Sequence, residues 1–369
     1  MVAKRILKIV LIVLLALIVI VGAYVAYVFL SYHRLPDRVE LEVTEYHNGA
    51  SASAVTAGVE TGTPYRVVSW NIGFGAYEDD YGFFMDGGTQ SWAWSKERLD
   101  ANLRAIAGEL FSREADLVLV QEVDFDSTRS YHLDERAYLS REAFPGLVSW
   151  EVFAQNYDSP FLFYPLTQPH GASKAGVMTF SRFPIDSALR RSLPIEDSVM
   201  KLLDLDRCYS VSRVPGPEGR ELVVYNLHLS AYTSDGTIAT EQLRLLLGDM
   251  QAEYEAGNWC LAGGDFNKDL LGDSSAYFGK SDIEYSWAQP IPPETFDGVD
   301  IRLVAPLDEA DPVPSCRNAD GPYHPEQYQL TVDGFLISPN VTVTASRVVD
   351  TQFRYSDHNP VEMEITLEP

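Results

Sequence analysis

Only three cysteines stand in 369 residues, Cys208, Cys260 and Cys316, and none lies in a CxxC or Cys/His spacing. That excludes a zinc cluster, which needs closely spaced thiolate or imidazole ligands. Cys260 sits in an apolar run and reads as a small core residue; the sequence permits but does not require a Cys208–Cys316 bridge. No Gly-rich fingerprint follows the first strand of the main domain, which excludes a nucleotide-binding Rossmann fold. There is no internal repeat and no motif for a nucleophilic Ser or Cys. Basic residues are also scarce, 28 against 53 acidic ones, for a net charge of −25. Setting aside Lys4, Arg5 and Lys8 leaves 25 against 53, or −28, for everything after the N-terminal segment. Such a field repels polyanions within a screening length of roughly 8–10 Å and weighs against a nucleic-acid binder, whose footprint is a basic stripe. Divalent cations or a few local Arg residues can reverse the sign inside one cleft, so the charge bears on substrate choice only.

What is present begins with a long apolar run. Residues 9–30 carry no charge; as a helix these 22 residues span roughly 33 Å at ~1.5 Å each, matching a ~30 Å hydrocarbon core. A cleaved signal peptide has a shorter apolar region, typically ~7–15 residues, so the length favours an uncleaved anchor. Tyr24, Tyr27, Phe29 and Tyr32 resemble an interfacial aromatic belt. Lys4, Arg5 and Lys8 place residues 1–8 as a cytoplasmic tail by the positive-inside rule, with all that follows the span extracytoplasmic at the cell membrane.

Residues 31–64 read as a juxtamembrane strand (Arg38 to Val43) and a Ser/Ala/Thr/Gly-rich connection over 47–63; residues 65–369 form the main domain. Helices are expected at 96–112, where Leu99, Leu103, Ile106 and Leu110 share a face, and at 239–255. Strands are expected at 65–70, 116–120, 175–181, 209–213, 221–228, 259–262, 332–338 and 361–366. Buried strands alternating with amphipathic helices indicate an α/β sandwich. Segments 78–94 and 155–173 lack periodicity, are rich in aromatics and read as long loops suited to substrate recognition. The same aromatics can equally be ordinary packing, which we favour for Tyr81 to Phe84 and Trp92 to Trp94.

Polar residues recur at the ends of the expected buried strands: Asn71, Gln121-Glu122, Asn226 and His228, Asp265 and Asn267, Asp357-His358, and Asp333. Each alone has an ordinary reading as a turn former, a solvated strand end or a core histidine. Together they meet three chemical needs. Carboxylate and amide oxygens suit a hard divalent cation. Histidines and an Asn can stabilise charge developing on a phosphoryl group. A His held by a carboxylate, or a placed Asp, can take a proton from water.

In order and context the blocks VVSWNIG, LVLVQEVD, YNLHLS, LAGGDFN, TVDGFLIS and YSDHNPV resemble the endonuclease/exonuclease/phosphatase superfamily, over about residues 65–366. That superfamily includes DNase I-like nucleases, abasic-site endonucleases, neutral sphingomyelinases and inositol-polyphosphate phosphatases. The resemblance implies a four-layer α/β sandwich, two mixed sheets flanked by helices with the active site at one edge. It implies Glu122 as principal Mg²⁺ ligand (Mn²⁺ or Ca²⁺ being alternatives), assisted by Asn71, with Asp357 near the metal. It implies His228 and Asn267 at the phosphate, Asp265 as the carboxylate at the attacking water, and His358 at the phosphate, oriented by Asp333. Arg207 is a looser match to a phosphate contact. Either Asp265 or the His358–Asp333 pair fits the role of general base. One departure is Gly73, where abasic-site endonucleases carry Asp; it puts a second metal ligand in doubt and, with His228, leans away from that branch. The expected function is metal-dependent hydrolysis of a phosphoester, whether of a small molecule, a lipid head group or nucleic acid. An extracellular nuclease or a non-catalytic binding domain is the alternative, and no protein partner is legible.

Overall fold

The computed structural model describes residues 2–47, 57–144, 148–195, 206–231, 237–279 and 287–369. The connection expected over 47–63 therefore falls partly outside the described residues. Helix α1 (Val2–Ser31) takes in the basic residues as well as the apolar run, and its large apolar side chains are almost all exposed. By length and composition it could cross a membrane.

The strands are β1 (Val39–Glu40), β2 (Val43–His47), β3 (Pro64–Asn71), β4 (Leu117–Asp124), β5 (Val148–Leu162), β6 (Gly171–Ser181), β7 (Ser187–Ser192), β8 (Cys208–Pro215), β9 (Glu221–His228), β10 (Trp259–Asp265), β11 (Arg302–Val304), β12 (Cys316–Arg317), β13 (Gln329–Leu330), β14 (Asp333–Ile337), β15 (Val341–Val348) and β16 (Val361–Leu367). They build two seven-stranded mixed sheets, ordered β1-β7-β8-β9-β10-β14-β11 and β15-β16-β3-β4-β6-β5-β2, with β12 and β13 forming a small separate ladder. The juxtamembrane strand expected at Arg38 to Val43 is thus two short pieces, one at an edge of each sheet.

Side-chain alternation explains the layering. Val67, Leu117 and Leu119 point between the sheets and meet Val224, Leu261 and Phe335. Their neighbours Val68, Trp70, Val118 and Val120 point outward, where α2 (Lys96–Ser112) covers them with Leu99, Leu103 and Ile106. Ser95 caps α2 by accepting from the Arg98 amide at 3.2 Å. On the other face α3 (Thr237–Glu255) packs Leu243, Leu246 and Met250 over Val223, Tyr225 and Cys260. This is the four-layer sandwich of the DNase I-like fold, and Cys260 is core.

In each sheet the central pair is parallel: β3 with β4, and β9 with β10. Parallel neighbours end at the same edge, so Asn71 lies opposite Gln121, and His228 opposite Asp265. The second register depends on Gly264, at φ +150°, where an added Cβ would sit 2.0 Å from the Leu227 carbonyl oxygen. Gly264→Ala is expected to cost on the order of 3 kcal/mol or more, read as a lowered urea midpoint.

One expectation is corrected and one open question is answered. The segment 155–173 is not a long loop: β5 and β6 form a hairpin whose connection is only 163–170. Register shifts between Gln155 and Tyr157 and between Ser159 and Leu162 break the alternation that would have marked β5 as a strand. Cys208 and Cys316 do not pair; all three cysteines are free and buried, Cys208 against Ala154 and Val177, Cys316 beside His358. In segment 78–94, Tyr81 and Phe83 are core, as the packing reading holds.

Candidate active site

The two parallel pairs bring their polar ends together across the gap between the sheets. Gln121, one residue before Glu122, donates to Asn226 at 2.8 Å, and Asn226 donates to the Met178 carbonyl at 2.9 Å. This buried network ties β4 to β9 and β6 under the site. A satisfied polar bridge of this kind fixes the relative placement of the two sheets. Glu122 itself sits at φ +56° in a bulge of β4 between Val120 and Val123. The bulge turns its carboxylate toward the edge, which plain strand alternation would not do.

Asn71, at the end of β3, donates to Glu122 at 3.2 Å and to Asp265 at 3.0 Å, while its oxygen accepts from the Gly73 amide at 3.0 Å. Its nitrogen, not its oxygen, therefore faces the carboxylates. In this orientation Asn71 positions Glu122 and Asp265, while its oxygen keeps a second lone pair beside the Gly73 contact. Gly73 is at φ +52°, and a Cβ there would lie 2.7 Å from the Tyr77 ring and 3.2 Å from Asp357. No second carboxylate fits at that position.

Asp265 is central. Its Oδ2 lies 3.4 Å from His228 Nε2 and 3.8 Å from His358 Nε2, and its Oδ1 accepts from the Asn267 amide at 2.8 Å. Burial raises its pKa, against the opposing charge of His358. Burial, with the nearby charges of Arg207 and His358, holds His228 neutral, well below the ordinary histidine value. His358 behaves oppositely. Burial alone would neutralise it, but Asp333, whose Oδ2 is 2.8 Å from Nδ1, outweighs burial and raises its pKa well above the ordinary value. Ser315 donates to the same Asp333 oxygen at 2.7 Å, and Trp70 donates to the His358 carbonyl at 2.8 Å, so the ring's partner and the residue's backbone are both held. Ser356 ties this loop to the end of β3 by donating to the Asn71 carbonyl at 2.8 Å. Asn267 donates to the Leu229 carbonyl at 2.7 Å and lines the cavity.

Glu122 and Asp357 line the same cavity, of about 600 Å³, as His228, Asp265 and His358. Burial, together with the charge of Glu122, pushes the half-buried Asp357 carboxyl up to about 7. Two neighbouring carboxylates, only partly offset by the charges of His358 and Arg317, are a donor set that fits a hard divalent cation. Among the described residues, Asp265, Asp333 and His358 also place ligand atoms within 4.8 Å of one another. There, however, the Asp333–His358 hydrogen bond fills the position a metal would take.

Every site residue expected from the sequence is in or directly behind this cavity, Arg207 included, which stands just before β8. Arg129, Arg317 and Cys316 were missed. Arg129 is buried, pairs with Asp124 at 2.9 and 3.0 Å, and lies over the Phe74 ring at 3.9 Å. Arg317 is held by the Gly321 carbonyl at 3.0 Å, and Cys316 Sγ is 3.5 Å from His358 Nε2. These residues come from a single 3₁₀ turn, Thr128–Ser130, and a two-residue strand, with no motif to signal them. Arg129, Arg207, Arg317 and His358 bring cations into the cavity beside Asp86, Glu122, Asp265 and Asp357, in a chain of net charge −25.

Comparison with known proteins agrees with this geometry. Residues 68–358 match the family model described as the endonuclease/exonuclease/phosphatase family. The fold is similar to an endonuclease/exonuclease/phosphatase from Beutenbergia cavernae (TM-score 0.54, 21% identity, covering 83% of this chain and 72% of that one). It is similar to ANGEL2, a 2′,3′-cyclic phosphatase in complex with adenosine-2′,3′-vanadate (TM-score 0.53, 16% identity, 90% and 99% covered). It is also similar to the human Nocturnin catalytic domain with bound sulfate (TM-score 0.50, 17% identity, 89% and 97% covered). At these identities the likeness shows the fold. None of the curated proteins compared matches the chain in sequence.

Proposed function

The chain belongs to the endonuclease/exonuclease/phosphatase family, whose members are phosphoester hydrolases, and from that premise we propose that it is a divalent-metal-dependent phosphoesterase held at the outer face of a membrane by α1. The observation that carries this reading is the cavity in which Glu122 and Asp357 stand beside Asp265 and a cationic His358.

Glu122 and Asp357 would hold the ion, with Asn71 orienting Glu122. The ion, when bound, supplies charge stabilisation at the phosphoryl and leaving oxygens. Asp265 is the general base. His358 is already protonated through Asp333 and has no free site for a proton from water. Asp265 accepts that proton as the water oxygen bonds to phosphorus and the bond to the leaving oxygen breaks in line. The leaving oxygen takes up a proton from solvent, and Asp265 returns its own there. His358, with the neutral His228 and Asn267, faces the phosphoryl oxygens, and Arg129 and Arg207 attract the anion into the cavity. Preorganised donors and charges of this kind are the main source of rate in phosphoryl transfer.

The test offers the full chain in detergent bis-p-nitrophenyl phosphate, plasmid DNA and sphingomyelin vesicles, with Mg²⁺, Mn²⁺ or Ca²⁺ and with chelator. Turnover of any of them that the chelator abolishes supports the reading; turnover unaffected by chelation rejects it.

Metal affinity should depend on pH. A proton competes for Asp357 below about 7, so affinity is higher above that value and lower below it. The apparent dissociation constant should rise by about tenfold per unit as the pH falls below that value. Calorimetric titration one unit above and one unit below reads it directly.

A further inference from the structure

The tip of the β5–β6 hairpin does not behave like a soluble loop. In a chain of net charge −25, no charged residue occurs from Ser159 to Pro169. Phe163, Tyr164 and Leu166 are 54%, 70% and 81% exposed. Scattered exposed apolar residues need no explanation, but three within four positions form a patch.

The hairpin also touches α1. The amide of Phe161 donates to the Tyr27 hydroxyl at 3.2 Å and that of Phe163 to the Tyr24 hydroxyl at 3.1 Å. The Tyr24 hydroxyl in turn donates to the Phe161 carbonyl at 3.2 Å, and the Tyr24 and Phe163 rings meet edge-on with centroids 5.4 Å apart. Tyr24 lies seven residues before α1 ends at Ser31, roughly 10 Å along the axis. If α1 crosses a membrane, the hairpin tip lies at the depth of the headgroup and acyl boundary. Backbone polar groups at that depth must be paired within the protein, and the two tyrosine hydroxyls pair the Phe161 amide and carbonyl and the Phe163 amide. The same hairpin forms one wall of the catalytic cavity: Leu162 and Tyr164, with Phe84 and Met85 beside them, line its apolar rim, while Asp265 and His358 lie within it.

We propose that residues 161–166 rest in the interface of the bilayer that α1 crosses, and that the phosphoester cleaved here is the head group of a lipid drawn from that bilayer. The substrate part of this inference rests on the phosphoesterase reading above. The phosphate would sit among the cations and the apolar part of the lipid would follow Phe84, Met85, Leu162 and Tyr164 back to the membrane.

The test uses the full chain reconstituted in vesicles of phosphatidylcholine, phosphatidylglycerol and sphingomyelin in equal parts. Leu166→Cys carrying an environment-sensitive NBD label is expected to emit in the blue and to be quenched by nitroxide-bearing lipid. Quenching by an aqueous agent alone overturns the placement, whether or not the protein is active. In parallel, Phe163→Asp/Leu166→Asp is expected to lower head-group release at least tenfold while leaving bis-p-nitrophenyl phosphate turnover within twofold of the unaltered chain. Equal lipid turnover by both proteins overturns the hairpin's part in delivering the lipid, and turnover of the soluble ester with no lipid cleaved overturns the lipid substrate; either leaves the phosphoesterase standing. Failure on every phosphoester with metal present removes the phosphoesterase reading instead.

Discussion

Glu122→Gln is expected to lower metal-dependent phosphoester turnover at least ~10²-fold, a loss of roughly 2.7 kcal/mol of transition-state stabilisation. The substitution keeps the side chain's shape, and its amide oxygen can still accept from Asn71. What it removes is one negative charge from a site where Glu122 and Asp357 face each other. Metal affinity should therefore fall with turnover, and raising the metal concentration should restore part of the activity. The unfolding midpoint should hold or rise slightly, because the repulsion with Asp357 is gone. Turnover within threefold of the unaltered chain, in a protein shown to be folded, would remove Glu122 from the metal site.

Asp333→Asn should have a comparable or larger effect, roughly 10²- to 10⁴-fold on turnover, as when the carboxylate that orients a catalytic histidine is replaced. Asp333 is what keeps His358 charged against burial, so the variant histidine becomes neutral and the phosphoryl group loses a cation. Stability supplies a second readout. The folded-state pKa of His358 lies above the ordinary value of 6.5, so its pairing contributes stability that is full below 6.5 and is lost as pH rises through the raised value. The unaltered chain should lose this contribution over that alkaline range, and the variant should have none to lose. Parallel stability curves for the two proteins, with turnover intact, would show that the pair is not formed.

Much of this was legible in the sequence, for identifiable reasons. Helix α2 was plain from its apolar period alone, and its bounds are Lys96–Ser112. Strands β9 and β10 were plain because both faces are buried and their apolar runs are nearly continuous. The site residues could be gathered from sequence because parallel neighbours end at one edge, so a polar residue at each end falls beside the others. What was hidden depends on contacts between distant segments. The β5 hairpin escaped because its bulges break the alternation. The orientation of Asn71 is set by the Gly73 amide and by carboxylates on two other strands. Arg129 enters the cavity because Asp124 holds it, and Cys316 because β12 bridges to His358, and neither carries a sequence signature. The proposal of Asp265 over His358 as base likewise draws on the 2.8 Å contact of His358 with Asp333.

The central claim is that a water made nucleophilic by Asp265 attacks phosphorus directly, and a single turnover in water enriched in heavy oxygen tests it most directly. With the full chain in excess over a phosphoester and metal present, one solvent oxygen should appear in the phosphate product in the first turnover, and none in the released alcohol. Label in the alcohol, or phosphate without label, would mean that water does not attack phosphorus, and retention rather than inversion at a chiral phosphorothioate would mean that a side chain attacks first; each contradicts the account.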